Sequence, residues 1–164
     1  MEESPSTLEL ATRLGELLTE RRWSLAVAES CTGGMLGSAI TDVPGSSRYF
    51  LGGVISYADQ VKLEQLGVPA QTLAGHGAVS SQTAQAMASG VRRLMHADLA
   101  VSITGVAGPG AEGSKAVGLT YIGIAVEGRV SARRYQWSGG RSENRSSSVM
   151  AALTIAIDAA GSKS

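Results

Sequence analysis

Residues 25 to 34, Leu-Ala-Val-Ala-Glu-Ser-Cys-Thr-Gly-Gly, constrain this chain more than any other stretch. Leu25 to Ala28 is a short apolar run, the size expected of a strand buried on both faces of a parallel sheet. The chain then turns small and hydroxylated, and Gly33-Gly34 lead into Met35 to Ile40, which reads as the opening turns of a helix. A strand, a small polar turn and a helix place Ser30, Cys31 and Thr32 at the carboxyl edge of a sheet, where ligands of α/β folds bind. The same geometry aims free backbone N–H groups at the space above the helix start, which favours an anion. The two glycines leave room for a ligand close to the backbone. Ser30 is therefore a candidate nucleophile in an active site. The alternative is that Ser30 and Thr32 only cap the helix.

The remaining pattern is that of one α/β domain with a core from about residue 7 to 160. Ser6-Thr7-Leu8-Glu9 has the capping-box pattern, and Leu10, Leu14, Leu17 and Leu18 follow at helical spacing, ending near Arg21-Arg22. After the helix at 34–41 comes the turn-rich loop 42–47, then a strand over 49–57 whose glycines mark a bulge or a close approach. A short helix over 58–66 carries Lys62 and closes at Gly67, and residues 69–73 suit one further helical turn. Ser80 or Ser81 caps a helix running to Met95, with Ala84, Met87, Ala88, Val91 and Leu94 as its apolar stripe. Leu99 to Ile103 is a third buried strand, 118–126 and 130–137 pair as a hairpin, and 142–160 is a closing amphipathic helix before a frayed tail. Strands alternating with helices and then a hairpin indicate a mixed sheet between helical layers.

Composition removes several classes of function. Lys plus Arg and Asp plus Glu each total 14, so a general electrostatic grip on nucleic acid or an acidic membrane is not expected. No run approaches the ~20 apolar residues of a membrane span, and the acidic start of the chain is unlike a secretory signal. A single cysteine forbids an intrachain disulfide and fits a reducing cytoplasm. Two histidines and one cysteine, scattered along the chain, lack metal-ligand spacing, so no metal or cofactor is expected.

Three loops carry candidate chemistry: the serine turn, the 104–110 loop Thr-Gly-Val-Ala-Gly-Pro-Gly, and the segment from Tyr57 to Lys62. A serine needs a base. His96 ends a helix, where its cation suits the dipole, and His76 sits in a Gly-His-Gly stretch that reads as a surface loop. A buried lysine of lowered pKa is the known substitute, and Lys62 is the natural candidate, although such a lysine is more often solvated. Cys31 is a rival nucleophile, since a helix N-terminus stabilises a thiolate, set against the commoner fate of a small buried apolar residue. Backbone N–H groups from Cys31 to Gly34 can face a developing oxyanion, and the 105–110 loop suits an anion.

At this point the pattern resembles a family. Ala28-Glu29-Ser30-Cys31-Thr32-Gly33-Gly34 is similar to the signature of the CinA C-terminal domain family, whose active members are nicotinamide-nucleotide amidases. In the same order come Pro44-Gly45-Ser46-Ser47, Gly53-Val54-Ile55-Ser56-Tyr57 with Lys62, Gly77-Ala78-Val79-Ser80, the 104–110 loop and Val117-Gly118. The resemblance implies a three-layer α/β/α sandwich with a mixed, mostly parallel sheet. It also implies hydrolysis of the carboxamide of nicotinamide mononucleotide, a small-molecule substrate, to nicotinate mononucleotide and ammonia. On this resemblance Ser30 is the nucleophile, with Lys62 and Tyr57 as the activating and proton-relaying pair. Substrate contacts are expected at Cys31, Thr32, Gly33, Gly34, Ser46, Thr104, Gly105 and Gly108. Arg141 or Arg145 is expected to clamp the phosphate, the alternative being solvated helix charges. The family tendency toward dimers implies a homo-oligomer.

The chain departs from the family's usual pattern at three positions. Asp59 stands where asparagine is usual, Gly140 where an acidic or amide residue precedes the arginine, and Ala116 where proline is usual. A carboxylate at Asp59 is expected to stabilise protonated Lys62 and weaken it as a base. These departures leave open a non-catalytic nucleotide-binding module of the same fold, or an amidase for another small carboxamide.

Overall fold

Large and small side chains alternate along the central strands, and that alternation decides how the layers stack. In β1 (Leu25–Glu29) and β3 (Leu99–Gly105), Leu25, Val27, Leu99, Val101 and Ile103 face one side, while Ala26, Ala28, Ala100 and Ser102 face the other. Both strands are buried throughout, as strands covered by helices on both faces must be. The large-residue face carries α1 (Thr7–Arg21), α2 (Met35–Thr41) and α6 (Arg141–Gly161). Each fully buried Leu or Ile there contributes about 1.5–3 kcal/mol. The small-residue face is covered mainly by α5 (Ser81–Met95), which packs on all five strands and is flanked by α3 (Asp59–Leu66) and α4 (Ala70–His76). The computed structural model describes residues 3–162, so the expected frayed tail lies, past Ser162, outside the described residues.

The five-stranded sheet has the order β2-β1-β3-β4-β5, with β2 at Phe50–Ile55, β4 at Leu119–Val126 and β5 at Arg129–Gln136. β1 pairs in parallel with both β2 and β3, while β3–β4 and β4–β5 are antiparallel, so β4 alone runs against the other four strands. The sandwich is the expected three-layer α/β/α arrangement with a mixed sheet. Among the described residues no helix is long and apolar enough to cross a membrane.

Parallel register brings the site together. Glu29 is level with Ile55 on one side and Ile103 on the other, so β1, β2 and β3 end at one edge. Residues 30–32, 56–58 and 104–110 therefore leave the sheet side by side. The glycine-marked irregularity in β2 is a register shift opposite Leu25/Ala26, with Gly52 at φ +129°.

Most local signals produce the elements they predict. Ser6 and Glu9 close a reciprocal capping box, and Ser80 caps α5 through the Thr83 N–H. Gly67 ends α3 in the left-handed conformation. The helix begun at Pro69 continues further than expected and ends at His76, so that histidine closes a helix instead of sitting in a loop, and it remains exposed. His96 follows α5 as its cap, at φ +53°.

The close approach of α5 to the end of α3 depends on Gly90, since a Cβ there would collide with the Leu66 carbonyl. Replacing glycine by alanine inside a helix ordinarily stabilises it by about 1 kcal/mol. Here the sign reverses: Gly90→Ala is expected to lower stability by about 1–3 kcal/mol in urea unfolding, as overpacking does. A stabilised Gly90→Ala protein would contradict this packing.

Candidate active site

Ser30 follows β1 by one residue and is held by sheet-like bonds on both sides. Its N–H donates to the Ile103 carbonyl at 3.0 Å, and the Ser56 N–H donates to the Glu29 carbonyl at 2.7 Å. The turn after it closes when Gly33 N–H donates to the Ser30 carbonyl and Met35 N–H to that of Thr32. Gly33 and Gly34 take positive φ, +59° and +104°, which explains a glycine pair at the entry to α2.

The anion expected above the start of α2 is present, but it is the protein's own. Glu29, buried at the end of β1, accepts from Leu36 N–H at 2.9 Å, Gly37 N–H at 3.0 Å and the Thr32 hydroxyl at 2.6 Å. A carboxylate at a helix N-terminus satisfies orphan donors and meets the positive end of the dipole. Glu29 thereby fixes the serine turn and leaves that helix start unavailable to a ligand anion. Among the described residues the N–H groups of Cys31, Thr32 and Gly34 have no acceptor, and these remain from the expected set of donors.

Lys62 is the group that sequence statistics place in solvent and the fold encloses: it is 1% exposed. Its Nζ donates to the Ser56 carbonyl at 2.7 Å and the Tyr57 carbonyl at 3.3 Å, and lies 3.2 Å from Ser30 Oγ. Two carbonyls use the two N–H bonds of a neutral amine, so its lone pair is left for the Ser30 hydroxyl, which then donates to it. Burial pushes the Lys62 pKa below its ordinary value. The Asp59 carboxylate, 3.7 Å away and largely exposed, acts in the opposite direction, as expected from its position between Tyr57 and Lys62.

These groups open into a cleft of about 150 Å³ lined by Ser30, Cys31, Tyr57, Asp59, Lys62, Thr104, Gly105, Gly108, Glu112 and Arg141, among others. Thr104 donates its hydroxyl to the Ala78 carbonyl at 2.7 Å, which ties the end of β3 to the segment before α5. A Cβ at Gly105 would collide with Thr120 Oγ1, so that glycine is required by packing on β4. Arg141 opens α6 and donates to the Gly108 carbonyl at 2.6 Å and to the Tyr57 hydroxyl at 3.3 Å. It thus joins the two sides of the cleft.

Several expected residues are placed differently. Ser46 lies in the short 3₁₀ turn Ser46–Arg48 that leads into β2, at the opposite end of that strand from Tyr57, and is not among the cleft residues. Arg145 donates to the carbonyls of Cys31 at 3.0 Å and Thr32 at 3.1 Å, which makes it a brace for the serine turn. Thr32, Gly33 and Gly34 likewise shape the turn without lining the cleft. The Tyr57 hydroxyl meets Arg141, and Lys62 reaches only the Tyr57 carbonyl, so the phenol is not linked to the Lys62–Ser30 pair as expected.

Other contributors escaped sequence reasoning. Glu29 was visible in the turn, but its acceptor role depends on α2 folding back over it. Asn144 donates to the Ala107 carbonyl and accepts from Gly139 N–H, anchoring the 104–110 loop to α6. Glu112 enters the cleft from a turn pinned by reciprocal bonds with Lys115. No local pattern marks either residue.

Comparison with known proteins adds an independent line. Residues 7–159 match the model of the CinA C-terminal domain. A competence-damage inducible protein of Halothermothrix orenii is 49% identical over 138 residues, covering 83% of this chain and 33% of that protein. A CinA-like protein of Gemmatimonas aurantiaca is 51% identical over 134 residues, covering 81% and 31%. The chain therefore spans about a third of the length of these curated relatives. The crystal structure of a CinA superfamily protein from Klebsiella pneumoniae superposes with a TM-score of 0.92 at 33% identity, over 95% of this chain and 98% of that one.

The rival nucleophile is disfavoured by its surroundings. Burial pushes the Cys31 thiol up to about 11, against the smaller favourable influence of its own backbone and of Arg145. At pH 8 only about one thiol in a thousand is then ionised. Cys31 in the folded protein is expected to resist a thiol-reactive disulfide reagent at pH 8 and to react fully after denaturation. Rapid labelling of the native protein would overturn this assignment.

Proposed function

The chain belongs to the CinA C-terminal domain family, and on that premise we propose that it hydrolyses the carboxamide of nicotinamide mononucleotide through an activated serine. The observation that carries this reading is the 3.2 Å contact between Lys62 Nζ and Ser30 Oγ, with both residues buried at the end of the same sheet edge. A buried amine of lowered pKa can be neutral near working pH, as a general base must be.

In this mechanism Ser30 Oγ attacks the carboxamide carbon and its proton passes to the Lys62 lone pair. The oxyanion forms beside the unpartnered N–H group of Cys31, which can stabilise it without reorganisation. The C–N bond then breaks, and the proton held by Lys62 goes to the departing ammonia. Water, deprotonated by the same amine, attacks the acyl ester, releases the acid and restores the Ser30 hydroxyl. Glu29 and Arg145 hold the turn that carries the nucleophile and act only through it.

The small cleft accommodates the pyridine ring and leaves the phosphate at its mouth. Arg141 is the cation there, at the head of a helix with no side-chain cap. Its guanidinium can exchange the Tyr57 hydroxyl for a phosphate oxygen. A non-catalytic binding module would not need a buried amine held against a serine hydroxyl. The single cysteine fits action in a reducing, cytoplasmic setting.

Ammonia release from nicotinamide mononucleotide tests the assignment. Ser30→Ala is expected to abolish it, Cys31→Ala to retain most of it, and Lys62→Met to lower turnover by about 100-fold or more. An active Ser30→Ala protein would end the serine mechanism.

Rate against pH adds a second check. Only neutral Lys62 accepts a proton, so kcat/KM is expected to rise with pH through a value below the ordinary 10.5 of lysine. The Asp59 carboxylate favours the protonated amine, so Asp59→Asn is expected to move that limb to lower pH. A shift to higher pH would contradict the pairing.

A further inference from the structure

Two carboxylates stand where an amidase site has an evident reason to exclude them. Asp59 is 3.7 Å from Lys62 Nζ, which is 3.2 Å from the nucleophile, and Glu112 lines the same cleft from its pinned turn. Negative charge near a carbonyl that becomes an oxyanion opposes the reaction. With Lys62 neutral, the charged groups lining the cleft are those two carboxylates and the Arg141 guanidinium, which is bonded to Gly108 and Tyr57. The arrangement is favourable only when the substrate brings a positive charge next to its scissile amide. The ring of Tyr57, 61% exposed beside the cleft, presents an aromatic surface of the kind that attracts a cation. Ser30 and Lys62, both at least nine-tenths buried, open into this same space, so the carboxylates border the position of the reacting ring.

We propose that Asp59 and Glu112, with the ring of Tyr57, make the cleft selective for the oxidised, positively charged pyridinium form of its substrate over the neutral dihydropyridine form. This rests on the substrate being a pyridine mononucleotide carboxamide. The two forms carry the same carboxamide, ribose and phosphate, and they differ in the charge and planarity of the ring. Opposite charge within a few ångströms in a partly shielded cleft strengthens binding, and phosphate recognition at Arg141 serves both forms equally. Asp59 thus has two effects: it restrains Lys62 as a base, and it attracts the ring that the base-assisted nucleophile attacks. Glu112 makes no hydrogen bond or ion pair with Lys62 and acts on it only through space, more weakly than Asp59, so it reports mainly the second effect.

The test separates binding from intrinsic reactivity, because the pyridinium also makes the amide more electrophilic. In the Ser30→Ala background, calorimetry with nicotinamide mononucleotide and its 1,4-dihydro form is expected to show about tenfold tighter binding of the oxidised form. Adding Glu112→Gln is expected to weaken the oxidised ligand several-fold and leave the reduced one within about twofold, which also serves as the check on folding. Asp59→Asn in the same background is expected to act in the same direction. Equal affinity for the two forms, binding of neither, or an equal loss of both on Glu112→Gln would overturn the proposal. Failure of the amidase reading is distinguishable, since it appears as wild-type protein that releases no ammonia from the oxidised mononucleotide.

Discussion

A lysine amine held out of water against a serine hydroxyl is the interaction on which the rest of the site depends. Lys62 lies in a setting that disfavours its charge, and two backbone carbonyls take up the N–H bonds of the neutral form. Such a group needs enclosure, and the enclosure comes from α3 packing beside α5 on the small-residue face of the sheet. Asp59, exposed at the first turn of α3, moderates the effect without cancelling it. The amine is poised by a balance between burial, which dominates, and the nearby carboxylates, Asp59 foremost and Glu112 more weakly.

Ser30 is held from the opposite side of the sheet. Its turn is clamped from below by Glu29, which caps α2 internally, and from α6 by Arg145, which gathers the Cys31 and Thr32 carbonyls. One consequence is a division of labour between helix starts. α2 has its dipole answered by a buried carboxylate, whereas α6 begins with Arg141 at the cleft and no side-chain cap. The helix start that opens at the cleft is thereby that of α6, although the strand-turn-helix pattern alone points to α2. Elements from both helical layers meet at the shared edge of β1, β2 and β3.

Much of this was legible in the sequence, for physical reasons. Buried parallel strands need continuous apolar runs, so Leu25–Ala28 and Leu99–Ile103 marked themselves, and the serine turn followed from what lies between strand and helix. The capping box at Ser6, the Gly67 stop and the Ser80 cap are local and were read locally. Lys62 stood out as a candidate base because no histidine is placed for the role, but nothing in its immediate neighbours shows that it is buried. Side-chain destinations were the least legible part. Arg145 braces a turn over a hundred residues away, the Tyr57 hydroxyl meets an arginine of the last helix, and Glu112 reaches the cleft from a short exposed turn. Ser46 shows the same difficulty in reverse: a motif matched, but register set it at the far end of β2. Contacts of that kind are fixed by sheet order and helix placement, which periodicity does not encode.

The central claim is that one amine titrates as a buried group within the folded chain. The sequence holds three lysines, Lys62, Lys115 and Lys163, few enough for each to be followed as a separate resonance in lysine labelled with carbon-13 at Cε. Titrating the folded protein by NMR, with Lys62→Met to assign the signal, measures the claim directly. The Lys62 resonance is expected to move at a pH clearly below the 10.5 of an ordinary lysine. A Lys62 resonance that titrates at 10.5 or above would contradict it.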